Sequence, residues 1–307
     1  MNKMILKPYR WAMLFSAFLT VVSAFILLEA FVLPQAISPA KVDTANALQS
    51  ESTMQLSPTP MVATVTGTSY QDDNISVSIE TLRRYSSTVY VADVELSDAK
   101  YLKTALAENT FGKNIKQRTS EIAEEHQAIF AVNGDYYGFR NSGYVLRNGV
   151  IYRNKARESG DDDALVIDND GNFSIISESK AAFPNLNTDD IAQIFSFGPA
   201  LISDGQILVD ENSEVGRSKS SNPRTAIGQV EALHYIVIVS DGRTKESEGL
   251  SLAELTALFV EKGCTTAYNL DGGGSSAMYF NGRIVNEPTD GRNQGERDVS
   301  DIVYFGY

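Results

Sequence analysis

The hydrophobic pattern along the chain changes character twice. Residues Ala12 to Leu33 run AMLFSAFLTVVSAFILLEAFVL, with Glu29 as the one charge. About 20 apolar residues cross a bilayer core, whereas the apolar part of a cleaved signal is usually about 7–15 residues. Lys3, Lys7 and Arg10 precede this stretch, and no basic residue follows until Lys41. The positive-inside rule then predicts a cytoplasmic N-terminus, a signal anchor over residues 1–35 and an exported remainder in the cell envelope. A long cleavable signal ending near Pro34-Gln35-Ala36 is the competing reading. Residues 36–66 are rich in Ser, Thr, Pro, Ala and Gln without a sustained period, which predicts a flexible stalk.

Beyond residue 66 the pattern becomes that of one α/β (α+β) domain over 67–307. Runs of β-branched and aromatic residues bounded by Gly, Asn and Asp predict strands at 75–82, 89–96, 128–132, 165–167, 194–197, 235–239, 267–270, 277–280 and 302–305. Asn148-Gly149, Asp170-Gly171, Asp204-Gly205 and Asn281-Gly282 each separate two such runs as hairpin turns do. The expected architecture is a mixed, largely antiparallel sheet with hairpins and a few packed helices, preceded by one transmembrane helix. The clearest helix spans 252–262. Ser251 and Glu254 have capping-box spacing, Leu250 and Leu255 can staple its entry, and Gly263 suits its exit. Weaker helical patterns cover 99–108 and 118–127.

Composition narrows the function classes. Hydrophobic residues at 43% and charged residues at 21% are globular values. The net charge is −13, and residues 1–35 carry three of the cations against one acid, so the remainder is more acidic still. Such a chain is no general nucleic-acid binder. Cys264 is the lone cysteine and His126 and His234 the only histidines. Disulfide frameworks and Cys-rich metal sites therefore fall away, and two histidines leave little for histidine-based catalysis or zinc.

Three aspartates follow an apolar run and stand beside glycine: Asp135 in AIFAVNGD, Asp241 in YIVIVSDG and Asp271 in TAYNLDGGG. Asp-Gly also simply makes turns, an account that suits Asp241 equally well. Gly272, Gly273 and Gly274 permit close backbone approach to a ligand, which favours chemistry at Asp271. The GGGSS loop precedes a strand rather than a helix, so it is neither a nucleotide-binding loop nor a nucleophile elbow. Ser275 and Ser276 then read as hydrogen-bonding groups. In NPRTAIG, Arg224 beside Thr225 offers a planar fork that suits a phosphate, or pairs with a structural aspartate. In NGDYYG, Asn133 and Tyr136 add a polar group and an aromatic face that can stack on a sugar. DDDA at 161–164 and DNDG at 168–171 lack calcium-loop spacing and read as solvated turns.

Together, NGDYYG (133–138), FGPALI (197–202), NPRTAIG (222–228), SDGR (240–243) and NLDGGGSSAM (269–278) resemble the phosphodiester glycosidase family. The resemblance covers about 150 residues. It implies hydrolysis of a sugar joined through its anomeric carbon to a phosphate, and the anchored layout is similar to that of bacterial members labelled exopolysaccharide-related. The residues fit that reaction. Paired carboxylates stabilise an oxocarbenium-like state, and Asp271 with Asp135 or Asp241 would supply them. Arg224 would neutralise the departing phosphate, whose second pKa of about 6 leaves little need for a histidine acid. The expected substrate is a phosphorylated envelope glycan or glycolipid, with no cofactor required. Two other readings stay open: a non-catalytic glycan-binding or exopolysaccharide-assembly protein, and a phosphoesterase holding a divalent metal on the same aspartates.

Overall fold

A computed structural model of the chain describes residues 9–39, 63–157, 162–209, 221–291 and 293–307. Most of the expected stalk lies outside the described residues. Helix α1, Arg10–Phe31, is long and apolar enough to cross a membrane, with a mean hydropathy of 2.3 and none of its residues buried.

Three large sheets and two two-stranded ones follow among the described residues, and every strand pair in them is antiparallel. The largest has nine strands, with Ile75–Arg84, Ser87–Leu96, His234–Ser240, Arg224–Glu231 and Thr266–Asn269 side by side at its centre. A five-stranded sheet holds Phe130–Asn133 between Met278–Phe280 and Asp301–Phe305, with Leu102–Leu106 beyond. A second five-stranded sheet centres on Ile191–Phe195, between Val145–Arg147 and Asp163–Asp168.

The shared core explains the alternation in the sequence. Val77, Ala92, Val94, Val237 and Val239 of the large sheet meet Phe130, Val132 and Phe305 of the second and Leu165 and Phe195 of the third. The opposite face of the large sheet is covered by α3, Leu252–Glu261, through Leu252, Leu255, Leu258 and Phe259. Both capping-box bonds form: Glu254 N–H donates to Ser251 Oγ at 3.2 Å, and Ser251 N–H to Glu254 Oε2 at 2.8 Å. Cys264 is buried against this helix, and burial pushes its thiol up to about 12. The remaining helix, α2 at Thr119–Glu125, packs on the back of the second sheet through Ile122 and Ala123.

Three of the four expected turns are two-residue hairpins with both central residues at positive φ: Asn148-Gly149, Asp204-Gly205 and Asn281-Gly282. Around Asp170-Gly171 the loop is longer and only Gly171 is left-handed. The helical pattern at 99–108 is overridden. Leu102–Leu106 forms an edge strand paired with Asp301–Phe305, with a 3-10 turn on each side. Five residues of ladder to a buried neighbour outweigh a weak local propensity. At the start of the expected stalk, Gln35 and Ala36 pair with Lys113 and Gly112.

Candidate active site

The strand ending at Asn133 and the strand ending at Asn269 belong to different sheets, and the loops that follow them meet. Asn133 makes the junction. Its Nδ2 donates to the Asp271 carbonyl at 2.5 Å, and its Oδ1 accepts from Thr225 Oγ1 at 2.8 Å and from Ala277 N–H at 3.2 Å. Asp271 N–H donates to the Gly134 carbonyl at 3.1 Å. Asn133 and Thr225 are both fully buried, so they fasten the site rather than face it.

Asp135 and Asp271 line one cleft of about 220 Å³ with Tyr136, Phe139, Ser275, Lys116, Arg297 and the 298–300 segment. The two carboxylates have different surroundings. Asp135 is 3% exposed and clamped: Oδ1 accepts from Tyr136 N–H at 2.6 Å, and Oδ2 accepts from Ser196 N–H at 2.8 Å. Arg147 Nη2 stands 3.6 Å from the same Oδ2, while Arg147 Nε donates to Asp301 Oδ2 at 2.8 Å. Asp301 in turn takes the Asp135 N–H at 2.8 Å. Burial pushes Asp301 up to about 6, with Arg147 opposing the shift. Asp271 is half-buried on the facing loop, and burial pushes it up to about 6 against the pull of the Ser275 hydroxyl and Arg297. A carboxyl poised near neutrality beside one fixed by donors is the division of environments that acid–base catalysis uses.

The glycines of the Asp271 loop are required by cations on both sides. A Cβ on Gly273, whose φ is +65°, would stand 2.7 Å from the Arg243 guanidinium, and one on Gly274 would stand 2.6 Å from that of Arg297. A Cβ on Gly272 would stand 3.0 Å from the Pro223 carbonyl. Ser275 bonds the Asp271 carboxylate, whereas the Ser276 and Ser300 hydroxyls are buried without a hydrogen-bond partner among the described residues. Of these two, Ser300 borders the cleft.

Two of the expected site residues lie outside the lining of this cleft. Arg224 does not line the cleft. It is buried beneath the glycine loop, its Nε donates to the Leu250 carbonyl at 2.8 Å, and its N–H donates to Ser240 Oγ. Asp241 does not line it either. Its carboxylate accepts from Tyr90 OH at 3.0 Å, Glu287 N–H at 2.8 Å and Asn286 Nδ2 at 3.4 Å, and burial holds its pKa above the usual range.

The cleft's cations are ones the sequence pattern does not mark. Arg297 makes a two-pronged contact to Asp290 Oδ1, at 3.0 Å from Nε and 2.5 Å from Nη2. Lys116 reaches the cleft because Gln117 and Val299 form an isolated antiparallel bridge, drawing their two loops together. Among the described residues, the carboxylate–histidine trio close enough to share a metal is Asp93, Glu95 and His234, outside the cleft lining.

A model of the phosphodiester glycosidase family matches residues 126–306, the stretch that contains both cleft carboxylates and Arg297. The chain belongs to the phosphodiester glycosidase family. Human N-acetylglucosamine-1-phosphodiester alpha-N-acetylglucosaminidase is 30% identical over 187 residues, which are 55% of this chain and 35% of that enzyme. The SPbeta prophage-derived uncharacterized protein YomE of Bacillus subtilis is 28% identical over 202 residues, 64% of this chain and 31% of its own. The chain thus spans about a third of the length of these curated relatives. In fold, it is similar to the zebrafish N-acetylglucosamine-1-phosphodiester alpha-N-acetylglucosaminidase catalytic domain auto-inhibited by pro-peptide. That likeness has a TM-score of 0.60 at 19% identity and covers 90% of this chain and 88% of that one. A hypothetical protein from Synechocystis gives a TM-score of 0.53 at 13% identity, covering 76% and 62% of the two chains.

Proposed function

We propose that this phosphodiester glycosidase family member is a membrane-anchored, extracytoplasmic hydrolase that splits a sugar-1-phosphodiester at the anomeric C–O bond. The observation that carries the reading is the cleft itself: two carboxylates of unlike environment face cations that suit a phosphate. Asp135, held in place by two backbone N–H groups, stabilises the positive charge that develops on the sugar ring. Asp271 takes a proton from the attacking water, which a carboxyl titrating near neutrality does efficiently. Arg297 and Lys116 hold the phosphate and neutralise it as it departs. Tyr136 offers its ring face to the sugar. The likeness to enzymes named for N-acetylglucosamine-1-phosphodiesters makes that sugar the first one to try. Helix α1 serves as the anchor, with Tyr9 and Trp11 at its inner end where interfacial aromatics sit.

Incubating the detergent-solubilised full chain with methyl N-acetylglucosamine-1-phosphate, with and without EDTA, tests the reading. Free sugar and methyl phosphate released in both samples support it. An intact substrate, or activity that EDTA removes, counts against it.

A further inference from the structure

We infer that the preferred substrate is a lipid-linked sugar-1-phosphodiester whose long-chain alcohol is embedded in the same bilayer as α1. This rests on the glycosidase and anchor readings above and names the leaving half of the substrate. The outer end of α1 is held against the 111–114 segment, which packs beside the 137–139 turn that follows Asp135. Asn114 Nδ2 donates to the Leu33 carbonyl at 3.1 Å, Ile37 N–H donates to the Phe111 carbonyl at 2.8 Å, and Gln35 and Ala36 pair with Lys113 and Gly112. Between helix and domain lies a second cavity of about 450 Å³, with Ile26, Ala30 and Phe31 of α1 facing Gly138 and Phe139, and with the polar groups of Glu29, Gln35, Lys113, Asn114 and Asn141 completing its wall. That volume falls within the roughly 300–1,000 Å³ typical of ligand sites.

Phe139 joins the two cavities, since it lines both. Its ring is 46% exposed and stacks on Tyr136 with centroids 4.6 Å apart. An apolar helix with no buried residue ends beside this ring, so the cleft opens where bilayer gives way to water. A phosphodiester bound there has its sugar against Asp135 and Asp271 and its phosphate near Lys116 and Arg297. Its hydrocarbon chain passes Phe139 and follows the apolar side chains of Ile26, Ala30 and Phe31 on α1, while Glu29 and Lys113 border the polar part of the same cavity. In the reaction, water adds its hydroxyl to the anomeric carbon and gives its proton to Asp271. The electron pair of the broken C–O bond stays with the bridging oxygen, which leaves on the lipid monophosphate.

The test uses the full chain reconstituted in phosphatidylcholine vesicles with two substrates of one headgroup, the hexadecyl and methyl diesters of N-acetylglucosamine-1-phosphate. At equal bulk concentration the hexadecyl diester should be cleaved at least about tenfold faster when it shares the vesicle with the protein. Ala30→Trp, which fills the second cavity, should lower the hexadecyl-to-methyl rate ratio by roughly fivefold, the loss of one or two buried methylenes. Melting curves first confirm that the variant is folded. A ratio at or below one, or a ratio that Ala30→Trp leaves unchanged, overturns the lipid-linked substrate while leaving the glycosidase standing. Cleavage of neither diester overturns the glycosidase reading and this inference with it.

Discussion

Asp271 and Asp241 follow strands that flank the same neighbour, Arg224–Glu231, in one sheet. Each has a glycine next to it, and burial raises each carboxyl above its usual range. The difference lies in what surrounds them. Asp241 is saturated by a phenol, an amide and a backbone N–H, and it ties the 286–287 segment to the sheet. Asp271 faces a cleft that also holds a second carboxylate and two cations. A strand–Asp–Gly signature is therefore a fastener where donors satisfy the carboxylate. At Asp271 a loop from another sheet instead brings a second carboxylate and cations to a cleft with room for a ligand.

That contrast breaks first at Asp271. Asp271→Asn should lower turnover of a sugar-1-phosphodiester by at least about 10³-fold. Its melting temperature at pH 7 should equal or exceed that of wild type. The sign follows from linkage: a carboxyl raised from 3.8 to about 6 binds more protons folded than unfolded, so it subtracts stability as pH rises through that window. The same window governs the rate. The wild-type kcat/KM should climb about tenfold per pH unit below about 6 and level off above it, as for a base that must be ionised. A rate that instead falls through pH 6 would make Asp271 the acid.

Arg297 and Arg224 sharpen the contrast next. Arg297→Lys removes a planar fork from the cleft and should raise KM for a phosphodiester by about 10–100-fold, the loss of a charged hydrogen bond. An aryl glycoside, which has no phosphate, should be little affected. Arg224→Lys loses the bond to the Leu250 carbonyl and should lower the melting temperature while harming both substrates equally. Asp241→Asn should destabilise by about 1–3 kcal/mol in urea unfolding, because it turns a donor toward donors in a buried site. Its rate per folded molecule should not change. The smallest effect belongs to Gly273→Ala. A left-handed residue gains a Cβ beside Arg243 and should cost about 1 kcal/mol or more, read by the same unfolding curves.

Local chemistry was legible in the chain; long-range convergence was not. The α3 capping box, the two-residue turns and the strand runs each depend on residues a few positions apart, and they stand where the pattern puts them. The 99–108 segment misleads because its strand exists only through pairing with 301–305, some two hundred residues on. Asp135 and Asp271 carry a local mark in their neighbouring glycines. Arg297 and Lys116 carry none, since their loops have no period and meet through a single bridge at Gln117 and Val299. The Arg147–Asp301 pair behind Asp135 is hidden for the same reason, its partners standing 154 positions apart. Arg224 shows the limit from the other side, because the residues around it do not say that its Nε donates to the Leu250 carbonyl.

Cleavage between the anomeric carbon and its oxygen leaves a distinct isotopic record. Hydrolysis of a sugar-1-phosphodiester by the full chain in water enriched in oxygen-18, followed by mass spectrometry of both products, tests it most directly. Attack at the anomeric carbon puts one labelled oxygen in the released sugar and none in the phosphomonoester. Label in the phosphate would mean attack at phosphorus, and this chain would then use its cleft as a phosphoesterase.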